Sequence, residues 1–178
     1  MLPFRTRRLI ATAAALAGAF SLATAGTAPA AAAAGGVMAQ TLNCSGSIRV
    51  NITNTGSVDG KGTLRCATPT TLYDGQLTLS GSATVSGLVY QTRTADQLSI
   101  FAGSSGEIID LSVNRTLKKL ADAPTGNATE SGSGLVVGGG PFGGSTETES
   151  GTGTFGTTTA TGTTTFLITD NYVLDLHA

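Results

Sequence analysis

The two cysteines are the residues with the most definite chemistry. Cys44 and Cys66 are the whole cysteine content of the chain. A hairpin centred on Thr55 would place them opposite each other, and residues 54–56 (Asn-Thr-Gly) provide a turn whose glycine tolerates positive φ. Two cysteines in an exported chain usually form one disulfide. We therefore predict that Cys44 and Cys66 staple two neighbouring strands, with a bridge between two separate sheets as the alternative.

Acidic pairs are the next candidates, because two carboxyl groups can support glycoside hydrolysis. Glu107 and Asp110 are the one close pair flanked by apolar residues. Positions three apart on a strand point to opposite faces, so a single strand does not bring this pair together. The acidic residues at 147/149 and 170/175 are too sparse for the carboxylate-rich loop that binds calcium.

The remaining motifs do not build a reactive centre. His177 is the single histidine and lies next to the C-terminus, a position where chains usually fray. Zinc sites need three or four suitable ligands, and the glycines of residues 138–144 lack the phosphate-loop pattern. We therefore assign no catalytic residue, no cofactor and no metal ligand.

Aromatic and cationic side chains supply the candidates for ligand contact. Tyr73 and Phe142 lie in turn or loop sequence, whereas Tyr90 and Arg93 lie close together in a strand-like segment. The other aromatic residues are expected in the core. The sole local cluster of cations, at 115, 118 and 119, is interpreted as a solvated helix face, with contact to an anionic glycan as the alternative.

The N-terminus has the layout of a cleavable secretory signal. Basic residues at 5, 7 and 8 precede an apolar run, and small residues with A-x-A sites follow. We predict a signal peptide over residues 1–30, a flexible segment over 31–41 and a secreted, extracellular product. No later apolar run reaches the roughly 20 residues of a membrane-spanning helix, so no stable membrane span is expected after cleavage.

The charge of the exported part disfavours polyanionic nucleic acid as a partner. From Ala31 onward the chain has 7 basic and 11 acidic residues, a net charge of −4. Nucleic-acid-binding proteins instead concentrate basic residues on one face. The expected partners are an extracellular glycan or a protein.

The composition and the alternation predict an all-β fold. Ile48, Val50 and Ile52 alternate with polar residues, as in a half-buried strand. Turns are predicted at 73–76, where Asp74-Gly75 is typical of a hairpin, and at 103–106. We expect residues 42–178 to form one antiparallel sandwich or small barrel built from hairpins. A short helix at 116–122 and a Gly/Ser/Thr-rich loop at 123–150 complete the predicted domain.

Export and the lack of a catalytic constellation favour a non-enzymatic binding or structural role at the bacterial exterior. One alternative is a polysaccharide hydrolase or lyase, which requires that at least two of Tyr90, Arg93, Glu107 and Asp110 converge in one groove. A second alternative is a β-pore-forming protein, since residues 151–166 alternate polar with small side chains. A lipid-facing strand, however, needs an apolar band.

Overall fold

The computed structural model describes residues 40–138 and 143–176 of the 178-residue chain, with side chains for 41–138 and 143–173. The predicted signal peptide, nearly all of the segment 31–41, Phe142 and His177 lie outside the described residues. The described residues form strands and turns, and none of them belongs to a helix long and apolar enough to cross a membrane.

Eight long strands follow one another along the described chain. They are β1 (Gln40–Ile52), β2 (Ser57–Ala67), β3 (Leu72–Ser86), β4 (Val89–Ala102), β5 (Ser105–Lys119), β6 (Gly126–Val136), β7 (Thr146–Phe155) and β8 (Thr164–Leu176). Their side chains alternate between buried and exposed along most of their length, as expected when one face of a sheet lines a core.

Each strand pairs antiparallel with the next, and β8 pairs with β1, so the sheet closes into a barrel. Paired residues can be followed from strand to strand around the barrel, starting at Ile100 on β4. The path returns to β4 at Tyr90, ten residues from its start. This stagger tilts the strands and gives an interior that side chains can fill. The prediction of a small all-β barrel built from hairpins is confirmed.

The first hairpin has the predicted register. Ile52 lies opposite Val58, and Cys44 lies opposite Cys66 and forms the disulfide with it. The turn closes on Gly56, whose φ of 82° lies in the region that favours glycine. The disulfide is buried, which is typical of proteins from an oxidising compartment.

The predicted turn at residues 73–76 is wrong, because these residues lie inside β3. Gly75 points into the barrel, and a Cβ atom at this position would lie 3.3 Å from the Cys66 sulfur. The glycine therefore makes room beside the disulfide. Asp74 is on the opposite, solvent-facing side of the same strand.

The predicted helix at 116–122 is also wrong, since residues 105–119 form β5. Leu117 is fully buried and Lys118 is exposed, which is the two-residue alternation of a strand. Leucines three residues apart suggested a helical stripe, but a segment this short is compatible with either periodicity.

The long loop predicted at 123–150 is wrong, because this range contains all of β6 and the first half of β7. Their inward positions include Gly132 and Gly134 on β6 and Gly151 and Gly153 on β7, all of them only partly exposed. Runs of Gly, Ser and Thr resemble a flexible linker in composition. Here the glycines alternate with polar outward residues and line a crowded interior.

The interior is apolar on one side and at one end. Strands β1 to β3 contribute buried aliphatic side chains such as Ile48, Leu64 and Leu77. At the end of the barrel that holds the β3–β4 and β7–β8 turns, Tyr90 packs edge-on against Phe166 with a centroid distance of 5.0 Å. The Lys119 ammonium lies 4.7 Å from the centroid of the Phe155 ring and covers this end.

The disulfide is expected to stabilise the barrel measurably. In the double variant C44A/C66A, loss of the cross-link increases the entropy of the unfolded chain. The free energy of unfolding should therefore fall by about 3 kcal/mol. Urea denaturation of the oxidised proteins measures the difference, and reduction should destabilise the unaltered protein but not the variant. Equal urea midpoints for the two oxidised proteins would contradict the prediction.

Candidate functional site

Polar and charged side chains occupy the other side of the barrel interior. They come from strands β4 to β8, and each is 5% exposed or less. We call these residues the acid–arginine cluster: Thr94, Asp96, Arg115, Glu130, Glu147, Glu149, Asp170 and Tyr172. The cluster joins strands that are far apart in sequence, because the closed sheet turns all their inward faces toward one volume.

Arg115 is the centre of this cluster and its single cation. Its Nη2 donates to Asp96 Oδ2 at 2.8 Å, to Glu149 Oε2 at 2.8 Å and to the Tyr172 hydroxyl at 2.9 Å. Its Nη1 donates to Thr94 at 3.2 Å. Burial by itself would lower the pKa of Arg115, but its partners outweigh this effect and hold the pKa well above its ordinary value.

Glu130 and Asp170 complete the cluster on the neighbouring strands. The Arg115 Nε lies 2.7 Å from Glu130 Oε1 and 2.6 Å from Glu149 Oε1. One carboxylate oxygen each of Glu130, Glu149 and Asp170 lie within 4.8 Å of one another, close enough to contact a common metal ion. Arg115 already supplies a positive charge to two of these three groups.

The five carboxyl groups cannot all be ionised beside one guanidinium, because burial penalises every uncompensated charge. Burial, together with the charge of Glu149, raises the pKa of Glu130 to about 9. The nearby Asp170 carboxyl adds to this rise, because two neighbouring buried carboxyl groups do not readily ionise together. Burial also raises the pKa of Glu149, of Asp170 and of the Tyr172 hydroxyl.

Glu147 is the member of the cluster that has no hydrogen-bond partner for either carboxyl oxygen within the described residues. Burial, and then repulsion from Glu149, raise its pKa to about 8. Glycines on β6 make room for both side chains. A Cβ atom at Gly134 would lie 2.8 Å from Glu147 Oε2, and one at Gly132 would collide with the Glu149 carboxylate.

The acid–arginine cluster has the composition of an active site but no visible access. Thr94, Asp96 and Arg115 are 2% exposed or less, and Asp170 is fully buried. A general acid must lie within hydrogen-bond reach of its substrate, which this packing prevents. The arrangement can hold strands β4 to β8 in register and keep buried carboxyl groups protonated. We treat it as a structural centre.

Among the described residues, the three predicted ligand contacts do not lie together. Tyr73 is half-buried against the core, and Tyr90 is buried inside the opposite end of the barrel. Arg93 lies on the outer surface, where its Nε donates to Asn114 at 3.2 Å. Phe142 lies outside the described residues.

The four side chains proposed for the hydrolase or lyase alternative are also dispersed. Asp110 accepts a hydrogen bond from Gln97 on the outer face, and Glu107 is exposed opposite Ile100. Arg93 lies opposite Asn114, and Asp110 lies four residues further along β5, so the two are about 13 Å apart along the strands. No groove among the described residues combines them with the buried Tyr90.

An accessible concave surface lies on the outside of β8, β1, β2 and β3. It encloses about 700 Å³ and has a floor of small polar side chains. A second depression of about 600 Å³ shares part of this floor and extends it toward β4. We call the combined surface the outer groove; its outward residues are Ser45, Ser47, Arg49, Lys61, Thr63, Arg65, Asp74, Gln76, Thr78, Phe101, Leu167 and Thr169.

Arg49 and Lys61 are directly opposite each other in this groove, on β1 and β2. Like charges at directly opposed positions destabilise a sheet. Both side chains are exposed, and neither has a hydrogen bond or ion pair within residues 41–138 and 143–173. Arg65, also without such a partner, follows on the same face of β2 and lies opposite Asp74 on β3.

Apolar side chains border the outer groove at two points. Leu167 on β8 is 48% exposed, and Phe101 on β4 is 44% exposed. Phe101 was expected in the core with most other aromatic residues. The alternation of Leu98 and Ile100 toward the interior turns it outward, so strict period-2 counting would have identified it.

The folded surface is less acidic than the sequence indicates. The cluster removes five carboxyl groups and one guanidinium from contact with water. The other residues with described side chains include six basic ones, at 49, 61, 65, 93, 118 and 119, and five acidic ones, at 59, 74, 107, 110 and 122. Charge on the outer surface is therefore close to balanced.

Comparison of the chain with protein-family models, with curated proteins and with solved structures found no match.

The stability of the barrel should decrease as the pH rises. The pKa of Glu147 is about 8 in the folded protein and about 4.5 in the unfolded chain. Between these values the folded state binds more protons, so the free energy of unfolding falls with pH, by up to about 1.4 kcal/mol per pH unit for one proton. The stabilisation is fully present below pH 4.5 and is lost as the pH rises through 8.

The variant Glu147→Gln tests this dependence because it removes the titrating group and keeps its size. Urea unfolding from pH 5 to pH 9 should give a shallower decline than in the unaltered protein. Glu107→Gln, at an exposed position, is the matched control and should retain the full slope. Identical slopes for E147Q and the unaltered protein would contradict the assignment.

Replacement of Arg115 should leave the carboxyl groups of the cluster without their cation. Arg115→Met is expected to reduce the free energy of unfolding by about 3–5 kcal/mol at pH 7, the usual effect of breaking a buried ion pair. The loss should be smaller at pH 5, where the carboxyl groups take up protons. Arg93→Met, at an exposed position, is the control and should change the free energy of unfolding little. A comparable loss in both variants would show that the loss in Arg115→Met does not come from the burial of this charge.

Proposed function

We propose that this protein is a secreted, non-enzymatic binding protein of the bacterial exterior, which contacts an extracellular polymer through the outer surface of its barrel. The observation that carries the proposal is the outer groove, a concave surface with a floor of hydroxyl and amide groups and unpaired basic side chains. Clefts with a few polar groups and an apolar border are the usual form of a binding site.

The filled interior supports contact through the outside. Buried side chains from every strand and the acid–arginine cluster occupy the space within the barrel. The end near the β3–β4 turn is filled by Tyr90 and Phe166. A ligand therefore meets the outward faces first, and these faces are lined largely by Ser, Thr, Asn and Gln side chains, which exchange hydrogen bonds readily with sugar hydroxyl groups.

Secretion is supported by two independent features. The N-terminal sequence has the layout of a signal peptide. The disulfide between Cys44 and Cys66 suits an oxidising environment such as the exterior of the cell. Both features favour an exported protein, for which wall polymers and extracellular glycans are abundant partners.

The two alternatives receive less support from the geometry. The hydrolase or lyase alternative needs convergence of residues that lie on different faces. The pore-forming alternative needs an apolar band toward lipid. The described outward positions of β6 and β7 instead carry side chains such as Asn127, Ser131, Ser150 and Thr152.

Pull-down assays with the exported protein should detect binding to at least one extracellular polymer. The panel consists of isolated wall fractions and purified glycans, with urea-unfolded, reduced protein as the control for non-specific adsorption. The same samples should release no new reducing ends during incubation. Failure of the folded protein to bind any member of the panel would contradict the binding proposal, and release of reducing ends would favour the enzymatic alternative.

A further inference from the structure

The unpaired cations of the outer groove define the kind of polymer that this surface would bind. This inference rests on the proposed function and makes it more specific. Arg49 and Lys61 face each other across β1 and β2, although like charges at such positions repel. An anion that lies between the two side chains would relieve this repulsion.

The spacing of the charges indicates a chain and not a small anion. Arg65 lies on the same face of β2, four residues beyond Lys61. Four residues of a strand extend over about 13 Å, which a single phosphate or carboxylate cannot bridge. An extended polymer with repeated negative groups can contact the Arg49–Lys61 pair and Arg65 at the same time.

The groove between these cations suits a carbohydrate backbone. Thr63 lies between Lys61 and Arg65 on the outer face, and Gln76 lies opposite Thr63 on β3. Both side chains are exposed and offer hydrogen-bond donors and acceptors to hydroxyl groups. Phe101, at the border of the groove, provides a partly exposed ring against which the apolar side of a sugar ring can pack.

We propose that the outer groove binds a linear acidic polysaccharide, with Arg49 and Lys61 holding one anionic group and Arg65 holding another. Arginine matches planar carboxylates and sulfate esters with paired hydrogen bonds, whereas lysine acts as a point charge. Asp74 lies opposite Arg65 on β3, and its negative charge disfavours chains of excessive charge density.

Binding of polymers of different charge to the exported protein tests this proposal. The probes are polygalacturonate, which carries carboxylates, dextran sulfate, which carries sulfate esters, and neutral dextran. Isothermal titration calorimetry should show binding to at least one acidic polymer, weakening as sodium chloride is raised, and no binding to neutral dextran. The acidic polymer that binds identifies the anionic group.

Charge-removing variants distinguish binding in the outer groove from non-specific electrostatic attraction. The double variant R49Q/K61Q should raise the Kd by about tenfold, the effect of losing two exposed ionic contacts. The matched control R93Q/K118Q removes the same charge from another part of the barrel and should leave the Kd unchanged. Phe101→Ser should weaken binding without altering its dependence on salt.

Each outcome has a distinct meaning. Equal losses in R49Q/K61Q and R93Q/K118Q would overturn the groove assignment, because attraction would then be non-specific. Binding of neutral wall polymers, without binding of either acidic probe, would overturn this inference while the binding function stands. Failure to bind any polymer in this experiment and in the wider panel would overturn both.

Discussion

A single buried positive charge organises the polar half of this barrel. The Arg115 guanidinium contacts side chains from β4, β6, β7 and β8, so that four strands share one centre. A buried ion pair gains little net stability over an apolar core, but breaking one is costly. The cluster therefore mainly disfavours other strand registers. A register shift of one residue would turn its charged side chains outward and the hydroxyl groups of neighbouring residues inward.

The parts of the fold that sequence reasoning predicted are those with local signals. The first hairpin followed from the symmetric placement of Cys44 and Cys66 about a turn, and the meander followed from alternation and short connections. The helix at 116–122 was wrong because leucines three residues apart also fit a strand, in which Arg115 faces the interior and Lys118 faces water. Composition cannot distinguish these two environments.

The acid–arginine cluster was missed for a different reason. Glu130, Glu149 and Asp170 are separated by long stretches of sequence, and their convergence depends on closure of the sheet. A signal was nevertheless present, because Glu147 and Glu149 continue the inward alternation of Gly151 and Gly153 along β7. On β7, acidic residues and glycines occupy the same alternate positions, and the strand ends in a buried phenylalanine. This pattern indicates an inward face that is polar and closely packed. The cations of the outer groove were visible in the sequence, but their alignment needed the register of β1 and β2.

The pairing of β1 with β8 has a consequence for the order of events during biogenesis. These strands lie at opposite ends of the folded part of the chain, and their ladder is the longest-range contact in the barrel. Until β8 is available, both edges of a seven-stranded sheet rich in threonine and serine are open to pairing with other chains. A chain whose last strand is not yet free cannot close the barrel, so its solubility while it folds depends on how quickly β8 joins β1.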